Sequence, residues 1–132
     1  MSTNASILIF SSSLKRLTVY ADATHLYNIV ANLTDNAVKY SSDSVKIGIK
    51  SYIDGKYCVI AVRDNGLGVS RENRKHIFDR FYRVPHGNTH NVKGYGLGLF
   101  YVKTMTERHK GTVSVKSEIN KGSEFIIKLP VQ

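Results

Sequence analysis

Two glycine-punctuated turns restrict what this chain can become: Asp64-Asn65-Gly66-Leu67-Gly68 and Gly94-Tyr95-Gly96-Leu97-Gly98-Leu99. The first closes a run of alternating apolar residues, so it sits at the end of a strand. The second opens a run of helical period. Glycine at such places lets backbone approach a ligand with no side chain in the way. A helix starting just after the second turn presents unbonded N–H groups and the positive end of its dipole, which suits a phosphate chain. Either pattern alone is also what an ordinary turn looks like, so the surrounding stretches must decide.

With 132 residues the chain is one domain, read here as a polar lead over 1–6 and a folded unit over 7–132. No apolar run is long enough to cross a bilayer, and the first residues lack the order of a signal peptide, so a soluble, cytoplasmic domain is expected. The single cysteine, Cys58, lies in a strand-like alternation and reads as a buried structural thiol in a reducing compartment. A net charge of +9 admits anionic partners without choosing among them. No block of like charge or aromatic-basic stripe marks a nucleic-acid surface, so no such partner is expected.

Ile7 to Phe10 and Leu17 to Tyr20 read as two strands joined by a turn through Ser11-Ser12-Ser13. Asp22 caps a helix from His25 to about Tyr40, with Leu26, Ile29, Val30, Leu33 and Ala37 as its buried stripe. Asn32, Asn36 and Lys39 fall on a second stripe roughly 100° around, with Tyr40 between the two. Asparagine is a poor helix former, because its side chain competes for backbone hydrogen bonds. Two in mid-helix fit either a solvated polar face or carboxamide ligands for a hard cation such as Mg²⁺, with Lys39 reaching for the phosphates it bridges.

Val45, Ile47, Ile49 and Ile53 alternate with polar neighbours, Asp54-Gly55 is a hairpin signal, and the returning strand sets Cys58, Ile60, Val62 and then Asp64 on one face. A carboxylate on an apolar face must find donors; the amine of a bound purine would serve, and so would a capping role on the turn. Ser70 caps a short helix through His76. Ile77 to Arg83 is dense in aromatics and guanidinium groups, and Val84 to Lys93 has no periodicity. This is read as a mobile lid hinged on packed Phe78 and Phe81, carrying Arg83 toward a polyphosphate. A helix from Gly96 or Leu97 to about Arg108 turns Leu99, Val102 and Met105 inward and ends at Gly111, and a last hairpin turns at Asn120-Lys121-Gly122. Hairpins without strand-helix-strand alternation imply an α+β chain: a two-layer sandwich of a mixed, mostly antiparallel sheet with about three helices on one face.

Asn32 to Tyr40, the DNGLG turn at 64–68, IFDRFYR at 77–83, GYGLGL at 94–99 and GSEF at 122–125 follow one another in the order of the asparagine, glycine and phenylalanine boxes of sensor histidine kinases. From about Leu17 to Leu129 the chain resembles their catalytic and ATP-binding domain, and more distantly the gyrase, chaperone and mismatch-repair ATPases of the same Bergerat-type fold. The resemblance implies a protein-histidine kinase fragment using ATP and Mg²⁺. It would place Asn36 on the metal, Asn32 beside it at the phosphates, and Lys39 and Tyr40 on the nucleotide. Asp64 would accept from the adenine amine in a pocket shaped by Gly66 and Gly68, with Ser123 near the adenine where the family often has threonine. Arg83 would approach the γ-phosphate, making it and Lys39 the catalytic pair, and Gly94, Tyr95, Gly96, Leu97, Gly98 and Leu99 would close on the triphosphate. The related ATPases activate water with a glutamate at the position of Asn32, so free ATP hydrolysis is expected to be slow.

None of His25, His76, His86, His90 or His109 is followed by an acidic residue, as a phospho-accepting histidine in these kinases usually is. The acceptor is therefore expected on a separate dimerisation hairpin of a longer, homodimeric parent, which would serve a response regulator receiver domain and is free to be anchored in an inner membrane. This domain by itself is expected to be monomeric and unable to phosphorylate itself. Alternatives are a serine kinase of a regulatory protein with the same boxes, a nucleotide sensor without transfer activity, and a basic nucleic-acid binder with steeply salt-dependent affinity.

Overall fold

A computed structural model of the protein describes residues 4–11, 23–39, 44–82 and 98–130. Their order is β1 (Asn4–Ser11), α1 (Ala23–Lys39), β2 (Ser44–Asp54), β3 (Tyr57–Asp64), α2 (Arg71–Arg74), α3 (Gly98–Arg108), β4 (Thr112–Glu118) and β5 (Gly122–Pro130). The five strands form one sheet in the order β1-β2-β3-β5-β4. Only β1 on β2 is parallel; the other three pairings are antiparallel. The mixed sheet and the two-layer α+β arrangement are as expected.

Alternation builds the sheet's two faces. Ile49 lies opposite Val62, Val62 opposite Phe125, and Val113 opposite Ile127, so these apolar residues share the helix-facing side. On α1 the expected stripe is the buried one, with Ile29, Leu33 and Ala37 at most 3% exposed. They pack with Val102 of α3 and with Ile47, Val62, Phe125, Ile127 and Leu129 of the sheet into one core. Cys58 is buried as a free thiol, and burial raises its pKa, which suits an inert packing role.

Several local expectations change. β1 takes in Asn4 to Ser6 from the supposed lead and runs parallel to β2. The expected second strand, Leu17–Tyr20, and its turn through Ser12 and Ser13 lie outside the described residues. β3 is central, so Val59 and Ala61 on its far face are as buried as Cys58 and Val62. Helix α2 stops at Arg74, where the chain continues through three-residue backbone turns, His76 to Asn73, Asp79 to His76 and Tyr82 to Asp79. At the end of α3 it is Lys110, not glycine, that takes the left-handed conformation (φ 62°). Gly111 is required because a Cβ there would run into the Lys128 carbonyl.

Candidate functional site

β3 delivers Asp64 to the helix-facing side at the end of the sheet, where its Oδ1 accepts from the Gly66 N–H at 2.8 Å. Burial pushes the carboxyl pKa above its ordinary value, and the N–H groups of Gly66 and Ser123 pull it partly back. Oδ1 thus caps the turn, and a carboxylate has lone pairs enough to accept from a ligand donor as well. The two readings left open by the sequence are therefore compatible.

The turn after Asp64 is stitched to distant segments. Asn65 Oδ1 accepts from the Lys46 N–H at 2.8 Å, and the Leu67 carbonyl accepts from the Asn120 N–H at 2.8 Å. Ser117 Oγ accepts from the Val69 N–H at 2.6 Å and donates to the Gly122 carbonyl at 3.0 Å. Its remaining contact, Ser123 Oγ at 2.7 Å, is then a donor to it. Gly68 is at φ +74°, and a Cβ there would strike the Glu118 carbonyl; Gly122, at φ +105°, is pressed in the same way against the Asp64 carbonyl. Gly66 and Ser123 are buried beside this junction. The sequence reading missed Ser117, Asn65 and Asn120. Ser117 could have been found as the polar residue continuing the inward series Val113, Val115.

α1 supplies the second half of the site. Asn32 donates from Nδ2 to the Asn28 carbonyl at 2.8 Å, and its Oδ1 lies 3.0 Å from where a Cβ on Gly98 would stand. The middle of α1 therefore meets the first turn of α3, where Gly98 and the partly buried Leu99 lie. Asn36 is partly buried one turn further on, and Lys39 Nζ is 3.9 Å from Asp35 Oδ2. That pair is solvent-exposed and holds Lys39 only weakly. Tyr40, Arg83, Gly94, Tyr95, Gly96, Leu97 and the lid over Val84 to Lys93 lie outside the described residues.

Phe78 packs, as expected of it, edge-on against Phe125 with ring centroids 6.1 Å apart. Phe81 does not pack: it is 63% exposed at φ 65°, because the left-handed turn swings its ring away from the core. The Arg80 guanidinium instead lies 4.7 Å from the Phe100 ring centroid, tying this segment to the first turn of α3. His76 contacts Asp79, His25 contacts Tyr101, and His109 contacts the Met105 carbonyl.

Residues 21–132 match the profile of the family described as histidine kinase-, DNA gyrase B-, and HSP90-like ATPase. The chain belongs to this family. Within it, the chain is 45% identical over 115 residues to the sensor protein RprX of Bacteroides fragilis, covering 86% of this chain and 22% of that protein. It is 37% identical over 123 residues to the sensor histidine kinase RppB of Synechocystis, covering 92% of this chain and 27% of the relative. Among solved structures it superposes on the mycobacterial sensor histidine kinase MprB with a TM-score of 0.81 at 27% identity, covering 97% of this chain and 83% of that one. On full-length ShkA in complex with AMPPNP the TM-score is 0.79 at 31% identity, covering 96% and 26%. This ATPase-family chain is thus a histidine kinase-type catalytic and ATP-binding domain, spanning about a quarter of the length of its curated relatives.

Proposed function

We propose that the chain binds Mg-ATP and passes the γ-phosphoryl group to a histidine on a dimerisation hairpin elsewhere in a longer parent protein. The observation that carries this reading is the half-buried Asp64 carboxylate at the end of β3, held by the Gly66 N–H and raised in pKa by burial. The carboxylate takes the adenine amine, Gly66 and Gly68 form the wall of the adenine pocket, and Ser123 stands at its floor.

The donors at the other end fit a hard cation. Among the described residues no group of three His, Cys, Asp or Glu side chains could hold a metal, and the oxygens on offer are the carboxamides of Asn32 and Asn36. Such neutral oxygens suit Mg²⁺, which takes most of its ligands from water and substrate phosphates. Asn36 is assigned to it, and the bound ion supplies charge neutralisation at the phosphates. Lys39 and Tyr40 hold the nucleotide, Arg83 faces the γ-phosphate, and the segment Gly94 to Leu99 closes on the triphosphate. Placement and electrostatics are nearly all that phosphoryl transfer asks of a protein. Asn32 is no base for water, so transfer to an imidazole is favoured over hydrolysis. The parent then serves a receiver domain. Among the described residues no helix is long and apolar enough to cross a membrane, and any anchoring in the inner membrane belongs to other parts of the parent.

The test is incubation with γ-labelled ATP and Mg²⁺, with the parent's dimerisation hairpin supplied in trans. Acid-labile label on a histidine of the hairpin, with none on this chain alone, is expected. Acid-stable phosphoserine on an added protein, or stable label on this chain alone, would overturn the assignment.

A further inference from the structure

The sheet face turned away from the helices is not neutral. Alternation places Lys46, Lys50, Arg63, Lys116 and Lys128 there, with Asp54, Glu118 and Glu124 as the acidic residues. Two of those acids are already engaged, Asp54 with Lys128 at 3.9 Å and Glu118 with Lys121 at 3.6 Å. Lys46, Lys50, Arg63 and Lys116 are exposed, and among the described residues none has a carboxylate within ion-pair distance. In their midst lies a depression of about 140 Å³ lined by Gly48, Lys50, Ala61, Arg63 and Glu124. Its shape follows from the register: Gly48 is opposite Arg63 and Lys50 opposite Ala61, so two small residues form a diagonal floor between two cations. Glu124 faces Arg63 on one side and Lys116 on the other, which leaves the wall net positive.

We infer that this depression docks an acidic protein segment, a carboxylate side chain entering between Lys50 and Arg63 while the flanking lysines hold its neighbours. The surface is separate from the nucleotide site, which lies on the helix-facing side, and the inference does not depend on the proposed transfer. Charge complementarity selects an anion. The two cations on either side of a small-residue floor favour a single inserted carboxylate, which Glu124 opposes only in part.

The test is fluorescence anisotropy of a labelled ten-residue glutamate-rich peptide titrated with the full 132-residue chain at low and physiological salt. Binding that weakens with salt is expected, and Lys50→Glu with Arg63→Glu should weaken it by about tenfold or more. Lys75→Glu with Lys103→Glu changes net charge equally on the helical side and should alter it by less than about twofold. Glu124→Gln should tighten it, a change of sign that a loss of folding would not produce, and the neutral pair Lys50→Gln with Arg63→Gln should fall between. Equal loss in both charge-reversal pairs, no gain from Glu124→Gln, or binding to phosphatidylserine vesicles but not to the peptide would overturn the inference.

Discussion

The two ends of the proposed nucleotide site are held in different ways. At the Asp64 end the turn is tied to other segments: the Lys46 N–H donates to the Asn65 side chain, the Asn120 N–H to the Leu67 carbonyl and the Val69 N–H to Ser117 Oγ, while the Gly66 N–H donates to Asp64. At the Asn32 end, among the described residues, side chains on one helix engage near neighbours, Asn32 the Asn28 carbonyl and Lys39 the Asp35 carboxylate. The first end is organised before a ligand arrives. At the second, the described side chains Asn32 and Lys39 are free to rotate toward one. A flat purine wants a pocket of fixed shape, whereas a phosphate chain with its cation tolerates groups that move to meet it.

This contrast can be broken by substitution. Gly68→Ala should cost the most, at least about 2 kcal/mol in denaturant unfolding, because it combines a left-handed φ with a clash against backbone that cannot yield. Gly98→Ala meets only the movable carboxamide of Asn32 and should stay within about 1 kcal/mol of the parent chain. Equal losses in the two variants would erase the distinction between the ends.

Asn36→Ala and Lys39→Ala should leave thermal stability nearly unchanged and weaken nucleotide binding by about tenfold, with the loss at Asn36 confined to titrations containing Mg²⁺. A loss at Asn36 that persists in chelator would remove it from the metal.

The acid titration of Asp64 gives a finer test. Its folded pKa is raised above the ordinary 3.8, so its protonated form favours folding. That contribution is fully present below the unfolded value and is lost as pH rises through the folded value. ATP binding moves the other way across the same window, because the ionised carboxylate is the better acceptor. Asp64→Asn should abolish both dependences, measured by melting and by nucleotide titration across that window. The smallest effect is expected at Phe81→Gly, which relieves a left-handed aromatic residue at the cost of chain entropy and should shift stability by under about 1 kcal/mol.

Much of the architecture could be read from residue spacing, because period and punctuation are local. The stripe of α1, the turn at Asp54-Gly55 and the last hairpin at Asn120 needed nothing from elsewhere in the chain. Partner choice is not local, so β1 was recognised as a strand while its parallel pairing with β2 was not. Burial on the far face of β3 was hidden for the same reason, since Val59 is covered only because β2 and β5 flank it. Phe81 read, with Phe78, as a packed hinge residue, but one left-handed φ reverses where an aromatic ring points, and no pattern of residue types encodes that angle. At the site, carboxylates, carboxamides and glycines stood out by type, whereas Ser117 did not, because its importance lies in joining three segments that meet only after folding.

The account turns on Asp64 holding the purine amine at a preformed pocket. Calorimetric titration of the chain and of Asp64→Asn with a nonhydrolysable ATP analogue and Mg²⁺ tests it most directly. The parent chain should release heat of association, and Asp64→Asn, melting at a similar temperature, should lose roughly 10- to 100-fold in affinity together with its preference for adenine over guanine. Undiminished affinity and unchanged preference in Asp64→Asn, or no binding by the parent chain at millimolar nucleotide, would contradict the account.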